Sequence, residues 1–121
     1  MGQGFARAAT VVFLVASAGA GCGEANGGAG SKGSDLYKSQ ACVTCHGADG
    51  AGTVFGPTLK GASAHWTREK LAEYLKDPLG YAAKDERLAA QAKKYTLPMQ
   101  RFDKLPPEDL AAIADHVLAM R

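Results

Sequence analysis

Within the run QACVTCHGADG, residues 40–50, two thiols and an imidazole fall close together: Cys42, Cys45 and His46. A Cys-x-x-Cys-His order suits covalent haem. Each thiol can add to a haem vinyl group while the adjoining imidazole reaches the iron from one face of the ring. Val43 and Thr44 then set the span between the vinyls. Rival uses of the pair fit less well. Zinc needs further good ligands, and Cys22, His65 and His116 stand far from one another in the chain. A thioredoxin-type redox pair normally opens a helix after a strand, and no segment here alternates as a strand does. A plain disulfide leaves His46 without a task.

A haem held by His46 on one face has a second axial position to fill. The candidates are Met99, Met120, His65 and His116. Met99 lies in YTLPMQRF, where Leu97, Pro98 and Phe102 can hold an extended loop against a buried ring. A thioether in a core loop is ordinarily packing. Beside a haem it becomes the soft, neutral ligand that, with histidine, favours reduced iron over a bis-histidine pair and leaves no open site for substrate. That arrangement carries electrons.

The elements that must position these groups read as helices. Ser34 suits an N-cap, and Asp35, Leu36, Tyr37 and Gln40 to Cys42 carry a short first helix into the cysteine pair. Gly47, Gly50, Gly52, Gly56, Pro57 and Gly61 then require an ordered loop or an uncovered tail. Thr67 caps a second helix to about Lys76, stopped by Asp77 and Pro78. Composition predicts a third helix over 82–94. Pro107 opens a last one, with Leu110, Ile113, Ala114, Val117 and Leu118 on one face. The fold class expected is all-α, one domain of about four helices over residues 35–121.

With those pieces in order, the chain resembles the class I c-type cytochromes, the small bacterial monohaem kind. The matching segments are LYKSQACVTCHGADGAG, GPTLKG, a capped helix ending in LKDP, LPM, and LPPEDLAAIADHVLAM. The resemblance covers about residues 33–121. It implies one covalent haem c with iron between His46 and Met99, and redox proteins as electron donor and acceptor of a monomer that is not an enzyme. It further implies that the Pro57 carbonyl orients His46, that Leu59 packs on the ring, and that Trp66 points its indole towards a propionate. Without the family, Gly56-Pro57 is a turn and Trp66 a half-buried aromatic closing the second helix. The stretch from Pro78 to Met99 is longer than in compact members. His116 stands where the family usually carries an aromatic that crosses the first helix near Tyr37. A haem catalyst or a gas or redox sensor, each with a labile sixth ligand, is the alternative reading.

The remaining cysteine concerns the protein's address. Ala8 to Ala20 is an uncharged apolar run after Arg7, too short at a rise of about 1.5 Å per residue to cross a hydrocarbon layer of about 30 Å. Residues 1–21 read as a signal peptide and 22–34 as a glycine-rich tether. Cys22 resembles a bacterial lipoprotein processing site, although Gly19 replaces the usual leucine upstream; ordinary cleavage after a small-x-small triplet is the competing expectation. The protein is expected in the periplasm, tethered by a lipidated Cys22 to the outer face of the membrane. Without Arg7 the chain has thirteen basic and twelve acidic residues, which gives no argument for nucleic acid. Lys60, Lys93, Lys94 and Lys104 are candidates for a partner-facing rim.

Overall fold

In the computed structural model the described backbone spans residues 29–121, with side-chain surroundings from Lys32 onward. The expected signal peptide and Cys22 lie outside the described residues. The described residues hold six α-helices, one short 3-10 turn and no strand.

Helix α1 covers Ala29–Ser39, so it begins within the stretch expected to be tether. Glycines 30 and 33 disfavour helix locally. Tertiary packing overrides that cost, because α1 lies against α6, Pro107–Leu118, and Gly33 sits at the contact. A Cβ there would collide with the Ala112 carbonyl and lie 2.7 Å from the His116 Cβ. The same packing buries Tyr37, Leu110, Ile113 and Ala114 almost completely. Asp109 meets Lys32 across the helix pair at the surface.

The first helix does not run into the cysteine pair. Ala41 turns the chain with φ +60°, the only positive φ of a non-glycine residue among those described. That conformation costs about 1–2 kcal/mol for an L-residue. A separate short helix, α2, follows at Cys42–His46.

Beyond it, the glycine-rich stretch is an ordered loop. The Gly52 N–H donates to the His46 carbonyl at 2.8 Å, and the Leu59 N–H to the Gly50 carbonyl at 2.7 Å. Gly52 has φ +87°, and a Cβ on it would lie 2.7 Å from the Thr58 nitrogen, so only glycine fits there without strain.

Helix α3, Arg68–Lys76, begins where the sequence predicts: the Thr67 hydroxyl accepts the Lys70 N–H at 3.3 Å. Leu71 and Leu75 are buried on the face that meets α6. Arg68 ties the two helices at the surface with a two-pronged pair to Asp115, at 2.7 and 2.6 Å.

The helix expected over 82–94 is present but shorter, and a separate one-turn helix precedes it. Helix α4 spans Pro78–Ala82 and α5 spans Glu86–Ala92. Two aspartates make the division. Asp77 closes α3 and its carboxylate accepts the Gly80 N–H at 3.2 Å, while Asp85 accepts the Leu88 N–H at 3.1 Å and starts α5. The chain then returns to α3, with the Phe102 N–H on the Leu75 carbonyl at 2.9 Å.

Candidate functional site

Cys42, Cys45 and His46 lie on the five-residue helix α2, whose single turn brings all three to one cavity. Cys42 and His46 are buried, and Cys45 is half-buried. Both thiols are free. Burial pushes the Cys42 thiol up to about 11. Among the described residues no group of three His, Cys, Asp or Glu side chains could hold a metal ion.

The His46 ring is fixed from behind. Its Nδ1 lies 2.8 Å from the Pro57 carbonyl. A carbonyl only accepts, so Nδ1 carries the proton and Nε2 keeps its lone pair for a metal. Burial pushes the imidazole below its ordinary value, with the Pro57 carbonyl pulling the other way, so the ring is neutral at pH 7. The loop that supplies Pro57 is tied to α2 by the Thr53 hydroxyl, which donates to the Cys45 carbonyl at 2.7 Å. From the opposite side, the buried Tyr37 hydroxyl donates to the Gly47 carbonyl at 2.7 Å.

Met99 reaches the same cavity from the far end of the chain. Its loop is pinned on both sides, by the Phe102 backbone bond to Leu75 and by the Gln100 amide, which donates to the Gln40 carbonyl at 3.1 Å. Leu59 and Trp66 also line the cavity, half-buried. His65 lines it too but is exposed, and Met120 packs beside Gly50, away from it. His116 packs against Tyr37 with ring centroids 5.3 Å apart and the planes tilted by 59°, so it takes the aromatic's place at the α1–α6 crossing, and it does not line the cavity.

The cavity measures about 930 Å³, near the top of the range of roughly 300–1,000 Å³ for cofactor sites. Its walls are mainly apolar, from Leu71, Leu75, Leu88, Ile113 and Val117 among others. Lys60, His65 and Arg87 reach its lining, and no carboxylate among the described residues does. An apolar slot with two thiols, a free imidazole nitrogen, a thioether and basic side chains suits a flat, iron-bearing porphyrin that carries vinyl and carboxylate substituents.

Sequence reading missed one cluster. Trp66, Tyr74 and Tyr81 pack together with centroids 5.1, 5.6 and 5.9 Å apart, and the Arg87 guanidinium lies 5.4 Å from the Trp66 ring centre. Tyr81 and Arg87 come from α4 and α5. The spacing Tyr74-x6-Tyr81 crosses a helix break, so no periodicity announces it.

A family model described as cytochrome c matches residues 30–121, which takes in every described helix except the first residue of α1. Neither curated proteins nor solved structures give a match. The all-α architecture, the free thiol pair beside a neutral imidazole and the matched span agree, and the chain belongs to the cytochrome c family, haem proteins that carry electrons on a covalently bound haem c and its iron.

Proposed function

We propose that the protein is a periplasmic monohaem cytochrome that passes single electrons between redox proteins, with His46 and Met99 as axial ligands. The observation that carries this reading is the convergence of Cys42, Cys45, His46 and Met99, from opposite ends of the domain, on one apolar cavity. Haem c would supply a one-electron iron couple there.

The residues divide the work. Cys42 and Cys45 offer the two sulfurs that add to vinyl groups. His46 presents Nε2 while Pro57 fixes the ring's orientation and raises its basicity through Nδ1. Met99, held by Phe102 and Gln100, would give the iron its second protein ligand and so deny that position to small molecules. Leu59, Leu71 and Val117 exclude water. Trp66 and Arg87 offer a cationic, aromatic edge that suits a carboxylate. Phe55, Leu79 and Leu97 line the cavity while staying half or more exposed, which supports docking of a partner protein at its rim.

Location rests on the sequence. The apolar run from Ala8 to Ala20 supports export, and Cys22 behind it supports a lipid anchor on the outer membrane face. Incorporation of labelled fatty acid into the wild type but not into Cys22→Ala tests the anchor.

Absorption spectra of the purified protein test the ligation. A c-type haem spectrum, a weak far-red sulfur-to-iron band and no change on adding carbon monoxide to the reduced form are expected. A carbon monoxide shift without the far-red band would instead mean an open axial site and favour a sensor or catalyst.

A further inference from the structure

We infer that the Gln100 side chain is a latch: its bond to the Gln40 carbonyl sets how often Met99 leaves the cavity, and Phe102 is the hinge about which the Met99 loop swings. The inference rests on the reading of Met99 as axial ligand and adds a residue that positions it.

The two sides of Met99 are held very differently. On the C-terminal side the chain is anchored in the core, where Phe102 is 5% exposed and its N–H donates to the Leu75 carbonyl at 2.9 Å. Arg101 adds a longer side-chain bond to the Lys76 carbonyl at 3.4 Å. From Thr96 to Arg101, by contrast, no backbone N–H or carbonyl has a backbone partner among the described residues. Thr96, Leu97, Pro98 and Gln100 are exposed. A stretch with so few bonds and so little buried surface opens far more readily than the helices around it.

One polar contact closes that stretch. The Gln100 amide nitrogen lies 3.1 Å from the Gln40 carbonyl, sixty residues away in the chain. A carbonyl only accepts, so the amide is the donor. The acceptor is otherwise free of backbone partners. Helix α1 ends at Ser39, which leaves the Gln40 carbonyl outside its ladder, and the Thr44 N–H goes to the Ala41 carbonyl instead. Ala41 holds a left-handed turn that glycine would hold with less strain, so the backbone that presents this carbonyl is kept against a conformational cost.

Position decides what the latch controls. Gln100 follows Met99 directly, and Gln40 stands two residues before Cys42. Ala41, Cys42, Met99 and Gln100 all line the one cavity. The bond therefore ties the loop that carries the sulfur to the segment that carries the attachment cysteines. With it made, Met99 and α2 keep one geometry. With it broken, residues 96–100 swing outward on Phe102 while the anchor to Leu75 holds. A single hydrogen bond of this kind is worth about two- to ten-fold in an equilibrium.

The test titrates ferric, haem-loaded full-length protein with imidazole and follows loss of the far-red sulfur-to-iron band as Met99 is displaced. Gln100→Ala and Gln100→Glu both remove the donor, the second at almost unchanged size. Each should raise the apparent imidazole association constant about two- to ten-fold. Gln100→Lys offers a donor again and should return the constant towards the wild-type value. Before imidazole is added, all three should show the wild-type band, because Phe102 still anchors the loop. A constant unchanged in Gln100→Glu, or one in Gln100→Lys as high as in Gln100→Ala, would overturn the latch and leave Met99 ligation standing. A wild type without the far-red band would instead strike the ligand reading on which the latch rests.

Discussion

Gly33 of α1 and Ala112 of α6 meet backbone to backbone, so closely that a Cβ on Gly33 would overlap the Ala112 carbonyl. Gly33→Ala should force the helices apart and cost about 1–3 kcal/mol, as overpacking does. For a domain of this size each 1 kcal/mol lowers the melting temperature by roughly 4–8 °C. Circular dichroism melts of haem-loaded wild type and variant measure this; equal midpoints would mean that the crossing yields without strain.

His116 makes the same crossing sensitive to acid. Burial pushes its imidazole below the ordinary value, and Lys38 adds to the shift. The unfolded chain therefore takes up the proton first as pH falls. The contribution of His116 to stability is fully present above about pH 6.5 and is lost as pH falls through the folded-state value. Urea unfolding between pH 8 and pH 5 should show His116→Phe losing less stability than the wild type over that window. Parallel curves would refute the assignment.

The empty domain should not hold together. Without haem, the apolar walls around Leu71, Leu75, Ile113 and Val117 would face water and lose much of the burial that holds the helices together. An ordinary domain has only about 5–15 kcal/mol of stability to lose. Cys42→Ala/Cys45→Ala, purified without haem, should melt without a cooperative transition in calorimetry. A sharp endotherm would show that the walls can collapse.

Exchanging the sulfur ligand should move the iron's potential. Met99→His keeps two axial ligands but removes the preference of a thioether for reduced iron. A fall on the order of 100 mV is expected, a modest part of the span of about 0.8 V that axial ligands command. Spectroelectrochemical titration reads it, together with loss of the far-red band; an unmoved potential would place Met99 off the metal.

Much of the site was legible because its signals are local. Cys42, Cys45 and His46 are separated by the turn of one short helix, Thr67 caps the helix that follows it, and Pro107 opens the last. His46 and Pro57 are eleven residues apart and were linked only through family resemblance, which the 2.8 Å contact supports. What local pattern could not show was decided by distant contacts. Gly33 reads as linker until Ala112 is set against it. The break between α4 and α5 depends on which aspartate turns inward to its own backbone. The Trp66, Tyr74 and Tyr81 cluster joins three elements, and Arg87 reaches it from a fourth.

The bond between the Phe102 N–H and the Leu75 carbonyl has a meaning for descent as well as for stability. It brings together the two ends of everything from Lys76 to Arg101, and the Arg101 side chain also donates to the Lys76 carbonyl at 3.4 Å. A segment whose ends already meet can grow or shrink at small entropic cost, because closure depends only on the logarithm of length. Met99 sits three residues from that junction, so its place is inherited from the junction and not from the excursion. Residues 78–95 can therefore be lengthened or shortened while Met99 keeps its place at the cavity.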